Sequence, residues 1–126
     1  METYHVCLSP RVLTEVTQSA LFKQEFLENL CRFLQGDWGS VTDRMRQDND
    51  EIFATNQPTR RTYSIFGILR DPVHEIFACY PLRTGGVIWM IRDVRCQPEN
   101  VPQIAVLHPM EYGHWAGPYI MEPAAV

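Results

Sequence analysis

Gln35-Gly36-Asp37-Trp38-Gly39-Ser40 decides how this chain of 126 residues folds. Two glycines, an aspartate and a serine here interrupt two segments of helical periodicity. Upstream, Phe22, Phe26, Leu30 and Phe33 recur at helical spacing, and Leu27, Cys31 and Leu34 widen the stripe. Lys23, Gln24, Glu25, Glu28, Asn29 and Arg32 fill the other side, so Ala20 to Leu34 reads as an amphipathic helix. A hydroxyl at Thr17 or Ser19 can cap its start, and Gly36 can take the left-handed conformation that ends it. Downstream, Ser40 with Asp43 three residues on predicts the start of a second helix, Asp standing in for the Glu of a capping box. Val41, Met45, Asn49, Ile52 and Phe53 share one face of it. Trp38 lies between the helices, and its large apolar body suits the corner where helices meet sheet. Asn49 falls on the apolar face, where a buried amide needs partners, so it is expected to tie the helix to backbone near Asp37 or to the sheet.

Outward from this pair the period changes. Tyr4 to Leu8 is a strand candidate, with Tyr4, Val6 and Leu8 on one face and His5 and Cys7 on the other. Ser9-Pro10 then opens a single helical turn through Val16. Asn56 to Arg61 is polar and contains Pro58, which reads as a loop. Thr62 to Leu69, Glu75 to Leu82, Val87 to Val94 and Ile104 to Leu107 read as strands. Thr84-Gly85-Gly86 supplies the positive φ of a hairpin. Along Val87 to Val94, Val87, Trp89 and Ile91 face away from Ile88 and Met90. Short connections predict an antiparallel meander. The expected fold is α+β: two main N-terminal helices packed on a mostly antiparallel sheet of about four to five strands. One domain spans 1–126, with a helical half at about 10–56, a sheet half at about 60–112 and an apolar tail at 113–126.

Composition narrows the function classes. A hydrophobic content of 45% supports a real core, and a net charge of −4 argues against direct nucleic-acid binding, which needs a basic face. No apolar run reaches membrane-span length, and Met1-Glu2-Thr3-Tyr4-His5 lacks the design of a signal peptide, so the expected setting is cytoplasmic, with no membrane partner. There Cys7, Cys31, Cys79 and Cys96 are expected as reduced thiols.

Six ordered stretches carry a resemblance: Ser9-Pro10, Gly36-Asp37-Trp38-Gly39, Asn49-Asp50, Cys79-Tyr80, Ile88-Trp89-Met90-Ile91 and Leu107-His108-Pro109-Met110-Glu111-Tyr112. Together they resemble a family of short, mostly uncharacterised proteins of plasmids and other mobile elements. The strand Thr62 to Leu69, the loop before Ile104 and the tail after Tyr112 depart from that pattern. The resemblance implies a helix-plus-sheet fold and a mobile-element setting. It brings no catalytic residue.

No constellation points firmly to a reaction. His5 and Cys7 share a strand face, but zinc sites usually come as two close ligand pairs, and His74, Cys79, Cys96, His108 and His114 supply no second one. No metal and no cofactor are therefore expected. A nucleophile would pair Cys79 or Cys96 with His74, His108 or His114, yet no activating loop surrounds either cysteine. Asp48, Asp50 and Glu51 read as the solvated face of a helix. The residues expected to shape the fold are Trp38, Asn49, Trp89, Glu111 and Tyr112, with Glu111 and Tyr112 anchoring the chain end. Trp115, Tyr119 and Ile120 in the tail, with Asn100 in the loop Gln97 to Gln103, are expected to border a partner surface. The expectation is a non-enzymatic protein-binding module of a mobile element, its partner a host protein or protein complex, a defence protein being the natural target; a homodimer is possible. The alternative is a small hydrolase or transferase using a Cys–His pair.

Overall fold

Serine and threonine hydroxyls set the starts of the three α-helices found among the described residues. The computed structural model describes residues 3–60, 62–63, 69–97 and 100–113, with only the backbone at 62–63 and 69–70. Strand β1 (His5–Leu8) leads into helix α1 (Pro10–Gln18). Ser9 Oγ accepts from the Val12 N–H at 3.1 Å, and Pro10 occupies the first turn, where its missing N–H costs nothing. This is a helix of nine residues rather than the single turn expected. Helix α2 (Ala20–Leu34) begins where Ser19 Oγ accepts from the Phe22 N–H at 3.1 Å. It ends as the glycine predicts: Gly36 has φ +84°, and the Asp37 N–H turns back to the Arg32 carbonyl at 2.9 Å.

Helix α3 (Asp43–Thr55) starts later than expected, capped by Thr42 and not by Ser40. The reason lies in the backbone before it. The Cys79 N–H donates to the Trp38 carbonyl at 3.0 Å, and the Ser40 N–H donates to the Cys79 carbonyl at 2.7 Å. Residues 38–40 thus run along the sheet and cannot turn helical until they leave it. Gly39 makes this approach feasible: a Cβ there would lie 2.1 Å from the Cys79 carbonyl oxygen, and its φ is +71°.

Two short strands, β2 (Thr62–Tyr63) and β3 (Leu69–Arg70), pair only with each other. Of the expected strand Thr62 to Leu69, the described ends thus pair with each other and not with the main sheet, and residues 64–68 lie outside the described residues. That sheet holds β1 with β4 (Glu75–Pro81), β5 (Val87–Asp93) and β6 (Gln103–Leu107), in the order β1-β6-β5-β4. Gly85 and Gly86, both at positive φ, turn β4 into β5, and β5 and β6 are also antiparallel. β1 instead lies parallel to β6, with Cys7 beside Ala105. The sheet is mixed, not a meander, because three helices intervene after β1 and bring the chain back on the far side of β6.

One face of the sheet carries Ile76, Ala78, Tyr80, Ile88, Met90, Ile104 and Val106 into a core shared with Val12, Phe22, Phe26, Phe33 and Ile52 of the helices. The other face buries Cys7, Ile91, Ala105 and Leu107, with Phe77 and Trp89 half-buried against them. The helix stripe is narrower than read: Leu27 and Cys31 point outward, while Glu25 and Asn29, expected in water, are buried. Glu25 is accommodated because its carboxylate accepts from the Arg83 N–H at 2.9 Å, beyond the end of β4.

Candidate functional site

The Gly-Asp-Trp-Gly corner is a lock between helices and sheet. Trp38 is 3% exposed and meets Phe33 and Phe53 edge-on, each ring centroid 5.4 Å away. Its Nε1–H donates to Asp50 Oδ1 at 2.8 Å, while Asp50 itself stays on the exposed helix face expected for it. Glu51 is likewise engaged, accepting from the Arg60 N–H, and burial pushes the Asp48 carboxyl up. Asn49 pairs with the backbone of one residue of β4 on both sides: Nδ2–H donates to the Phe77 carbonyl at 2.7 Å and Oδ1 accepts from the Phe77 N–H at 3.1 Å. The sheet, and not the backbone near Asp37, is its partner. Asp37 faces the Arg32 guanidinium at 2.8 Å and accepts from the Gly39 N–H, which together hold its carboxyl below the usual range. The Tyr80 hydroxyl donates to the Asp37 carbonyl at 2.7 Å, and burial pushes its ionisation well above that of a free tyrosine.

Glu111 fastens the end of β6 to the start of α1. In the 3₁₀ turn Pro109–Glu111 its carboxylate accepts from the Ser9 hydroxyl, from the His108 N–H at 3.0 Å and from the Arg11 N–H at 3.3 Å. Tyr112 lies edge-on to Trp89 at 5.8 Å, and Trp89 to Phe77 at 4.9 Å.

Asn100 opens onto a recess of about 460 Å³ between the ends of α2 and α3, β1 and the loop before β6. Tyr4 and Phe53 give it aromatic walls, and Asn56, Arg92 and Gln97 give it a polar floor. Asn56 and Asn100 are, among the described residues, the two non-glycines at positive φ, at 53° and 61°. Asn tolerates this region better than most residues, and such backbones gather at functional sites. Arg92 Nη2 donates to the side-chain oxygens of Asn56 and Gln97, which fixes the guanidinium plane at the recess. The site offers amide groups and a planar cation between two rings, a set suited to orienting an inserted polar group. Sequence reading named Asn100 but placed Asn56 in a plain loop and passed over Arg92. Asn directly after a helical run is the signal that could have marked Asn56.

The remaining candidates scatter. Trp115, Tyr119, Ile120 and His114 lie outside the described residues. His5 is exposed while Cys7 is fully buried and accepts from Gln103 Nε2 at 3.1 Å, so the two form no pair. Burial pushes the thiols of Cys79 and Cys96 up, which disfavours the thiolate that nucleophilic chemistry needs. His108 Nε2 lies 2.8 Å from Glu15, and His74 Nδ1 lies 3.2 Å from Asp93; among the described residues no histidine is hydrogen-bonded to a cysteine.

No protein-family model, no curated protein and no solved structure matches this chain. Among the described residues no helix is long and apolar enough to cross a membrane.

Proposed function

We propose that this chain is a non-enzymatic protein-binding domain of a mobile genetic element, and that it inhibits a host protein, with a defence protein as the natural target. The observation that carries the reading is the recess where Asn56 and Asn100, both left-handed, meet Arg92 and Gln97 between Tyr4 and Phe53. A preformed hollow with a few oriented polar groups can take one side chain or chain end of a partner without an acid–base pair. Exposed Met110 and Tyr112 add apolar contact surface where the chain leaves β6. The mobile-element setting rests on the ordered stretches from Ser9-Pro10 to Glu111-Tyr112.

Affinity capture from host lysate with mass spectrometry tests it. The intact chain should retain a defined host protein. Asn100→Gly, which keeps the left-handed backbone, and deletion of residues 114–126 should each lose it while the melting transition stays in place. A target retained at full strength by both variants would remove the recess and the tail from the interface. A deletion that fails to fold would make the tail structural.

A further inference from the structure

Glu75 and Asp93 stand directly opposite each other across β4 and β5. Two carboxylates so placed repel, and the Asp93 side chain is only 1% exposed, so water does little to screen it. Arg95 compensates from one side. Its N–H donates to Asp93 Oδ1 at 2.8 Å, and its half-exposed guanidinium reaches Oδ2 at 3.2 Å. On the other side stands His74. Its Nδ1 lies 3.2 Å from Asp93 Oδ2 and 3.9 Å from Glu75 Oε1. That nitrogen is shut off from water and yet makes no aligned hydrogen bond. A buried ring nitrogen in this state normally finds a partner.

The three donor atoms lie within 4.8 Å of one another. Zinc bound tetrahedrally at about 2.0–2.2 Å spaces its neighbouring donors by roughly 3.4 Å. The two separations at Nδ1, 3.2 and 3.9 Å, bracket that spacing. We infer that His74, Glu75 and Asp93 bind one divalent transition-metal cation, with zinc the best match. The mixed donor set argues for this class, since calcium and magnesium favour shells of oxygen. Three protein donors leave a fourth position open. His74 and Glu75 also line a groove of about 400 Å³ with Met45, Asp48 and Phe77, so the three donors border an open recess. A bound dication would offset the cross-strand repulsion, while Arg95 could keep its backbone bond to Oδ1. The site reverses the expectation drawn from ligand spacing, because strand register and not sequence proximity brings Asp93 to the other two. It stands independently of the Asn100 recess.

The test titrates zinc chloride into the chelator-treated full chain against a chromophoric chelator, with the histidine ring signals followed by NMR. One equivalent should bind, and the His74 signals should move while those of His5 and His108 stay. His74→Ala and Glu75→Gln should each weaken binding about tenfold or more, and His5→Ala should leave it unchanged. Both altered side chains are partly exposed, and the NMR arm needs no variant to fold. The inference fails if zinc uptake does not saturate, if another histidine responds in place of His74, or if both variants bind as tightly as the unaltered chain.

Discussion

The corner at Gly36 to Ser40 and the joint between β1, α1 and the end of β6 close the same sheet with different chemistry. The corner is built on the buried Trp38 and Asn49, with charged Asp37, Arg32 and Asp50 only at its rim. Trp38 fills the space between Phe33 and Phe53, and the Asn49 amide replaces a strand partner for Phe77. The joint uses a carboxylate at the rim. Glu111 gathers a hydroxyl and two backbone N–H groups at the first turn of α1, where the helix dipole favours negative charge. The corner therefore has little tolerance for change, because each lost group leaves a cavity or an unpaired polar atom. The joint can be weakened by degrees, because water can replace part of what Glu111 does.

The sharpest way to break this contrast is Trp38→Ala. Emptying the corner should cost about 3–5 kcal/mol in chemical denaturation, and a loss under about 1 kcal/mol would show that the corner is not core. Asn49→Ala comes next. It strands both backbone polar groups of Phe77, and a cost of about 2–3 kcal/mol is expected. A near-neutral result would mean that water reaches β4 behind α3. Glu111→Gln keeps the shape of the joint but removes the charge, and should cost about 1–2 kcal/mol by the same measurement. If it equalled Asn49→Ala, the joint would be as unforgiving as the corner and the comparison would fall.

The smallest effect near neutral pH is that of Tyr80→Phe, at about 1 kcal/mol for the lost bond to Asp37. Its signature lies in alkali. Burial raises the Tyr80 ionisation in the folded chain, whereas an unfolded tyrosine loses its proton near about pH 10. The protonated hydroxyl thus contributes its full stability below about pH 10, and that contribution is lost as pH rises further. Melting temperature should fall above that pH in the unaltered chain and fall less in Tyr80→Phe. Parallel alkaline limbs would assign the loss to other groups.

The corner was legible in the sequence, and the joint only in part. Helix α2 announced itself through the phenylalanine spacing, Gly36 through its conformational freedom, and Asn49 through its place on an apolar face. All are local signals. The start of α3 was misplaced because the Ser40 N–H is committed to Cys79, a residue on β4. The parallel pairing of β1 with β6 was missed for a related reason: alternation reports a strand's faces and not its neighbour. Glu111 was recognised as an anchor, but its partners Ser9 and Arg11 lie at the other end of the chain. The recess was half visible. Asn100 stood out in its loop, whereas Arg92 reads as an ordinary polar residue on a strand until Asn56 and Gln97 come to it.

The position of β6 also carries a consequence for synthesis. It lies inside the sheet, between β1 and β5, although it is the last of the sheet's described strands to be made. During translation β1 emerges first and has no strand beside it until residues 103–107 have left the ribosome. The hairpin of β4 and β5 can form alone, but the sheet cannot join its halves earlier. A pairing between such distant segments is slow to find, and exposed strand edges in the interval invite association with other chains. A nascent chain stalled before residue 103 should accordingly bind chaperones and resist release as a folded unit. One from which residue 113 has also emerged, with the Glu111 joint already available, should have its sheet complete.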